Sequence, residues 1–285
     1  MKKQRLDLLL VERGLVESRA LAQRLVMAGQ VRVDGQVALK PGDKVTDQAD
    51  LTIEQGPRYV SRGGEKLEAA LAAFEIAVTG RVCADVGAST GGFTDCLLQH
   101  GASKVYAIDV GQGILDWKLR QHPQVVVMEA TNARYVERLP EPVSLVTIDA
   151  SFISLKVLLP VVKEWFPLPP GPSPLVGEES VGSPPSPLVG EGPEVRGDVI
   201  ALIKPQFEAG RQEVRRGKGV IRDPAVHRQV LIDILGYAAG AGWQVIGLIA
   251  SPLLGPKGNR EFLVWLQPAE AAEQGLEPLI QGVLE

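Results

Sequence analysis

The stretch Asp85-Val86-Gly87-Ala88-Ser89-Thr90-Gly91-Gly92-Phe93 decides the fold. An apolar run, Val82-Cys83-Ala84, precedes it and reads as a strand; residues 94–100 after it read as the start of a helix. A strand-to-helix turn carrying three glycines lets backbone approach a ligand closely, and the helix start offers unpaired N–H groups. Dinucleotide-binding sheets carry a comparable turn, so the glycines alone do not choose the ligand. Asp85 opens the loop with a carboxylate, and Ser89 and Thr90 place hydroxyls where a pyrophosphate wants bare backbone. That combination suits a cationic, amino-bearing ligand, and S-adenosylmethionine, with a sulfonium and an ammonium, is one. The cofactor contacts expected from this loop are Asp85, Gly87, Ser89, Thr90, Gly91, Gly92 and Phe93. The next apolar run, 104–108, ends at Asp109, about 20 residues on, where an acid can hold ribose hydroxyls.

The bulk composition limits the alternatives. A chain of 285 residues with 45% hydrophobic content suggests one large or two unequal domains with a sizeable core. The formal charge of −4 argues against a uniformly basic nucleic-acid binder, so RNA contacts must come from local patches. Cys83 and Cys96 sit on apolar elements and read as reduced core residues; with three scattered histidines, no metal site is expected. Asp7, Glu12 and Arg13 break up the apolar start, so no signal peptide is expected. No run approaches the roughly 18 apolar residues of a membrane helix. The expectation is a soluble cytoplasmic protein.

Residues 1–54 read as a compact unit. Leu6, Leu9, Leu10 and Leu15 stripe a first helix, and Ser18 caps a second that carries Leu21, Leu25 and Val26 and stops at Gly29. Asp34-Gly35 between Val31-Arg32-Val33 and Gln36-Val37-Ala38-Leu39 predicts a hairpin. Arg5, Arg13, Arg19, Arg24 and Arg32 are spread over this unit, and charge alone reads them as a solvated basic face. Residues 55–64 read as linker, 65–267 as the main domain, and 268–285 as a C-terminal tail.

In the main domain, Leu67, Leu71 and Phe74 predict a helix with Lys66 in its first turn. Strands follow at 125–128, with Asn132 beyond it as a candidate for the adenine edge, and at 144–148, ending in Asp149. Residues 167–197 repeat Pro-Ser-Pro-Leu-Val-Gly-Glu at 172–178 and 185–191 and read as an insertion unable to fold on its own. The strand at 198–203 ends in Lys204-Pro205-Gln206-Phe207-Glu208, followed by a basic loop with Arg211, Arg215 and Arg216 as candidate RNA contacts. The runs 243–250 and 262–266 are joined too closely for a crossover helix, so they must be antiparallel. The predicted fold class is therefore α/β: a Rossmann-like methyltransferase sheet of seven strands with an antiparallel last hairpin, preceded by a small α+β RNA-binding domain.

Two resemblances sharpen this reading. Arg5-Leu6-Asp7, Arg13-Gly14-Leu15, Ser18-Arg19 and the stretch from Gly29 to Gly35 resemble the αL-type RNA-binding domain named after a small-subunit ribosomal protein, which implies that Arg5, Arg13, Arg19, Arg24 and Arg32 contact RNA backbone. The segments Tyr59-Val60-Ser61-Arg62-Gly63-Gly64-Glu65-Lys66-Leu67, Ile148-Asp149-Ala150-Ser151-Phe152, Lys204-Pro205-Gln206-Phe207-Glu208 and Gly255-Pro256-Lys257-Gly258-Asn259-Arg260-Glu261-Phe262 resemble the TlyA-type ribosomal RNA methyltransferases, also called hemolysins, whose catalytic domain is FtsJ-like. The 167–197 tract departs from that pattern and raises the question of how the entry to the following strand is held. The resemblance implies a Lys-Asp-Lys-Glu tetrad at Lys66, Asp149, Lys204 and Glu261, S-adenosylmethionine as cofactor, and a cytidine ribose in ribosomal RNA of ribosomal subunits as acceptor. Lys204 would then be the principal base, Lys66 and Glu261 positioning groups, and Asp149 a bridge between cofactor and substrate. The competing readings are a membrane-lytic hemolysin and a non-catalytic RNA-binding protein.

Overall fold

The computed structural model describes residues 3–54, 56–167, 197–271 and 273–285. The proline-rich tract thus lies, apart from its two ends, outside the described residues. The chain divides into two compact units, Met1–Arg58 and Tyr59–Glu285.

In the first unit, strand β1 (Lys3–Arg5) leads into helices α1 (Leu6–Glu12) and α2 (Arg19–Met27). Strands β2 (Val31–Val33), β3 (Gln36–Val37), β4 (Lys44–Thr46) and β5 (Leu51–Ile53) follow. The Ser18 hydroxyl accepts from the Leu21 N–H at 3.2 Å, capping α2. The hairpin turn has φ of 50° at Asp34 and 79° at Gly35, the two positive angles a tight primed turn demands. Strands β3-β2-β5 form one antiparallel sheet, and β1 pairs with β4. The β1–β4 pair was not foreseen, because three-residue strands of Lys-Gln-Arg and Lys-Val-Thr are too short and polar to show alternation. Leu6, Leu9 and Leu10 at helical spacing close the core against Ala22, Val26, Val31 and Leu51.

The second unit contains α3 (Gly63–Ala73), β6 (Val82–Val86), α4 (Gly92–Gln99), β7 (Lys104–Ile108), α5 (Trp117–Arg120), β8 (Val125–Met128), β9 (Leu145–Ile148) and α6 (Leu155–Lys163). After the undescribed tract come β10 (Asp198–Ile203), α7 (Pro205–Glu208), α8 (Arg211–Arg216), α9 (Pro224–Gly240), β11 (Trp243–Ala250), β12 (Phe262–Pro268) and α10 (Glu277–Leu284). The seven-stranded sheet runs β11-β12-β10-β9-β6-β7-β8, with β12 antiparallel to both neighbours and the other ladders parallel. Strand alternation sends Cys83, Val105, Leu145, Ile200 and Leu263 to one face, where Leu67, Leu71 and Leu97 pack. Ala84, Val86, Tyr106, Val146, Ile148 and Ala201 face the other way, onto Leu158, Leu231, Ile234 and Ile280. The sheet is thus covered on both faces, as its near-continuous apolar strands require.

Two boundaries differ from the sequence reading. The segment read as linker is packed structure from Tyr59 onward: Tyr59 is buried, Val60 N–H donates to Asp95 at 2.9 Å, and α3 already begins at Gly63. Gly64 is dictated by that packing, since a Cβ there would lie 2.2 Å from the Tyr59 ring. The supposed tail carries α10, whose Ile280 and Val283 are buried in the main core. Gln274, in the same segment, accepts from Val245 N–H and donates to the Trp243 carbonyl, both at 2.9 Å, capping the sheet edge.

The entry to β10 is firmly held. Asp198 accepts from the Trp265 indole at 2.8 Å and the Gln267 amide at 2.9 Å, and pairs with Arg81 at 2.8 Å. Gly197 lies against the Phe166 ring, so the described residues flanking the proline-rich tract pack on each other.

Candidate active site

Each glycine of the loop after β6 answers a different constraint. Gly87 has φ of 84°, and a Cβ there would sit 2.7 Å from the Asp149 carbonyl. Gly91 has φ of 98° and faces Leu119, 2.2 Å from where its Cβ would be. A Cβ on Gly92 would meet the Ser61 hydroxyl at 2.3 Å and the Gly64 nitrogen at 2.9 Å, so this glycine lets α4 approach the start of α3. Ser89, at φ 51°, donates its N–H to Asp109 Oδ2 at 2.8 Å, while Gly111 N–H donates to Oδ1 at 2.7 Å.

Two cavities flank this loop and share Gly87, Ser89, Asp149 and Ser151 as lining. The first, about 440 Å³, brings together Thr90, Gly92 and Phe93 with Lys66, Lys204 and Glu261. The second, about 290 Å³, has Val86, Ile108, Ile114 and Leu158 as apolar walls with Asp109 and Asn132 as polar groups. Asn132 Oδ1 also accepts from Arg134 N–H at 3.2 Å, which fixes its rotamer at the rim.

Asp85 is not among the lining residues. It is fully buried and accepts from the Thr94 hydroxyl at 2.7 Å and the Thr147 hydroxyl at 3.2 Å. Burial pushes its carboxyl up to about 7, against the opposing hydrogen bond from Thr94. The expected cofactor contact is therefore corrected to an internal tie between β6, α4 and β9. Asp85 still lies within β6 on the face covered by α4, whereas Asp109 lies one residue past β7. Gly91 likewise lines neither cavity.

The four tetrad candidates form two ion pairs on the first cavity. Lys66 Nζ lies 2.6 Å from Glu261 Oε2, and Lys204 Nζ lies 2.6 Å from Asp149 Oδ1. Lys66, Lys204 and Glu261 are buried, so each lysine is placed by a short charge-assisted bond in a setting that screens it little. The pairing also accounts for a cation in the first turn of α3, where the helix dipole disfavours one. Lys204 Nζ donates further to Ser151 Oγ at 3.1 Å and the Asp149 carbonyl at 3.4 Å. Glu261 Oε1 accepts from Gln206 Nε2 at 2.9 Å.

Sequence reasoning missed Ser61, Arg62, Ser151, Leu253, Leu254 and Gly255 in the cavity wall, although most lie in motifs already singled out. It also missed Glu129, which accepts from the N–H groups of Gly113, Ile114 and Leu115 at 2.9–3.1 Å and pairs with Arg120 at 2.7 Å. These bonds, led by Arg120, hold its carboxyl down at about 2. Because the folded value is depressed, the tether is complete above the ordinary glutamate range and is lost as pH falls toward 2. Glu129→Gln is expected to weaken ligand binding in the second cavity about tenfold at neutral pH through the loosened wall at Ile114. Calorimetric titration of the expected cofactor into both proteins checks this; equal affinities would show that the tether does not shape the cavity.

The arginines of the first unit divide by partner. Buried Asp7 accepts from Arg5 at 2.9 Å, Arg19 at 3.0 Å and Gln23 at 2.9 Å, and the Arg5 contact foremost holds its carboxyl well below the usual range. Arg5 and Arg19 remain about half exposed, so Asp7 orients them without covering them. Arg13 is committed to the carbonyls of Asp47 and Ala49, each at 2.7 Å, and Arg32 to Glu54 at 2.5 Å. These two brace the fold, while Arg24 is exposed. Arg215 is exposed on α8; the side chains of Arg211 and Arg216 lie outside the described residues. Among the described residues, no helix is long and apolar enough to cross a membrane, and no group of three or more His, Cys, Asp or Glu is placed to hold a metal.

A doubly wound sheet with its seventh strand inserted antiparallel, and a glycine loop opening on paired cavities, defines the class of α/β methyltransferases. The chain belongs to the FtsJ-like methyltransferase family, whose model matches residues 59–268, and it carries an S4 domain over residues 4–51. YqxC of Bacillus subtilis is 45% identical over 283 residues, covering 97% of this chain and 90% of that protein. The 16S/23S rRNA (cytidine-2'-O)-methyltransferase TlyA of Mycobacterium tuberculosis is 43% identical over 270 residues, covering 93% of this chain and 90% of its own. A solved structure from Streptococcus thermophilus, named as a hemolysin, superposes with a TM-score of 0.68 at 40% identity, covering 100% of this chain and 95% of that one.

Proposed function

We propose that this methyltransferase transfers a methyl group from S-adenosylmethionine to the ribose 2′-oxygen of a cytidine in ribosomal RNA, acting in the cytoplasm on ribosomal subunits. The observation that carries the reading is the convergence of the pairs Lys66–Glu261 and Lys204–Asp149 on a cavity sharing its glycine-loop wall with a second, more apolar one. The name borne by the M. tuberculosis relative supports the choice of cytidine and ribosomal RNA.

The donor set of the second cavity fits an adenosyl group. Its aliphatic walls suit a flat base, and each Asp109 oxygen, although it accepts an N–H, keeps a lone pair for a ribose hydroxyl. Asp109 and Asn132 would hold the nucleoside, with Ser89 and Thr90 toward the amino-acid end. S-adenosylmethionine, when bound, supplies a methyl already activated as a sulfonium. The protein must therefore align a weak nucleophile and manage one proton. Lys204, after releasing one ammonium proton to solvent, takes the proton leaving the 2′-hydroxyl, and Asp149, 2.6 Å away, balances the positive charge that re-forms. Lys66 is the second cation on the acceptor site, oriented by Glu261.

Tritiated methyl transfer to unmodified ribosomal subunits, followed by mapping of alkali-resistant linkages, tests the reading. Label at a base, or no transfer, would refute it. Removing residues 1–54 is expected to spare donor binding yet abolish transfer to ribosomal RNA, since the half-exposed Arg5 and Arg19 and the exposed Arg24 lie in that unit. RNA affinity of the intact chain should fall steeply with salt, as release of counterions requires. Full activity of the shortened chain would assign RNA capture to the catalytic unit alone.

A further inference from the structure

The segment Lys204-Pro205-Gln206-Phe207-Glu208 does more than deliver a lysine. In this single turn, Lys204 and Glu208 are four residues apart and reach the same partner loop, while Gln206 reaches another. Lys204 contacts Asp149 and Ser151. Phe207 packs its ring on Phe152, centroids 4.7 Å apart. Glu208 accepts from Ser154 Oγ at 2.6 Å and from Leu155 N–H at 2.8 Å, which also caps α6. Gln206 donates to Glu261 on the far side. Residues 149–155 are therefore fastened to this turn at both ends, and Glu261 is fastened to it as well.

We infer that turn 204–208 sets the two ion pairs in register, and that Gln206 and Glu208 are positioning residues for methyl transfer. Without Glu208 the loop bearing Asp149 keeps its contacts at the reacting end and the Phe152–Phe207 ring contact. Its far end at Ser154 and Leu155 loses its tie to the turn, and the reacting end must also admit the acceptor. Without Gln206 the Glu261 carboxylate keeps Lys66 but loses the bond that fixes its second oxygen. Burial pushes the Glu208 carboxyl up, although Ser154 and Leu155 oppose this, so its retention at the site reflects the bonds it accepts. The inference rests on the methyl-transfer reading above.

The test is a variant series in the full chain, read by single-turnover methyl transfer to ribosomal subunits, donor affinity by calorimetry, and amide exchange at Leu155. Glu208→Ala should lower the single-turnover rate about tenfold to a hundredfold, the cost of a misplaced catalytic group. Donor affinity should stay within about twofold, and exchange at Leu155 should quicken. Glu208→Gln can accept from Leu155 N–H through Oε1 and donate to Ser154 through Nε2, so it should restore both rate and protection. Gln206→Leu should lower the rate with donor affinity kept, and it decides the matter if Glu208→Ala does not fold. A rate within about twofold of wild type in both Glu208→Ala and Gln206→Leu would overturn the inference. So would a collapse of Glu208→Gln equal to that of Glu208→Ala, since charge rather than geometry would then be at work. If the wild-type chain itself transfers no methyl to RNA, it is the parent reading that fails, whereas an active wild type with active variants refutes only the inference.

Discussion

Lys204→Arg is expected to lower single-turnover methylation by roughly 10²–10⁴-fold, the range of lost acid–base catalysis, with donor affinity little changed. Lys204 presents its nitrogen to Asp149 Oδ1, Ser151 Oγ and the Asp149 carbonyl at 2.6, 3.1 and 3.4 Å, which accounts for all three ammonium protons. To act on a 2′-hydroxyl, the nitrogen must give up one of these protons to solvent and turn the freed lone pair toward the substrate oxygen, keeping the short bond to Asp149. Arginine can keep the pairing and the charge, but its guanidinium does not give up a proton in a protein. A lysine acting only by its charge would therefore be rescued by arginine, and one acting as base would not. Because a planar guanidinium is also bulkier, the comparison needs a variant that restores an amine. Lys204→Cys alkylated to the aminoethyl thioether places a primary amine at nearly the original reach. Recovery of rate on alkylation, set against a dead arginine variant, would identify the amine as the base. A near-wild-type rate in Lys204→Arg would exclude that role and leave only stabilisation of the developing oxyanion.

The central strands of the sheet were legible because each is buried on both faces and so reads as an apolar run with a polar residue at or just beyond its end. Asp109, Asp149 and Lys204 all stand beyond the last residue of their strands, and all three line a cavity. Asp85 looked equivalent in the sequence but is still inside β6, where alternation turns its side chain under α4 toward Thr94. A shift of one or two residues at a strand end thus separates a ligand contact from an internal tie, and boundaries at that precision are not written in composition. The helix at α10 was written there: Leu276, Leu279, Ile280, Val283 and Leu284 recur at helical spacing, and only the polar residues around them suggested a tail. The partners of Arg13 and Arg32 could not be read at all, because carbonyls 34 and 36 residues away, or a glutamate 22 residues away, leave no local signal. Likewise, the tetrad followed from motif resemblance, whereas its division into Lys66–Glu261 and Lys204–Asp149 required three dimensions.

Gly255→Ala should be nearly as damaging as loss of a tetrad residue, although it removes no functional group. A Cβ at Gly255 would lie 2.1 Å from Glu261 Oε1 and 2.4 Å from Cδ. Gly255 does not have positive φ, so alanine meets no backbone penalty there and the whole effect falls on the carboxylate. A glutamate tip usually swings aside at small cost. This one is fully buried, with Oε2 held by Lys66 and Oε1 by Gln206, so it can move only by breaking those bonds. Breaking a buried pair while leaving its partner in place costs up to about 3–5 kcal/mol, and the partial exposure of Lys66 softens that figure. The expected result is a lower melting temperature together with a loss of single-turnover rate of about a hundredfold, as misplacement by an ångström brings. Donor affinity should hold, because Asp109 and Asn132 line the other cavity. Gly236→Ala provides the control: it lies in α9 with nothing within 4 Å of its Cβ position, and alanine should stabilise the helix by about 0.5–1 kcal/mol. If Gly255→Ala instead melts and turns over like wild type, the Glu261 carboxylate has room to move without consequence, and its fixed position is not what the reaction uses.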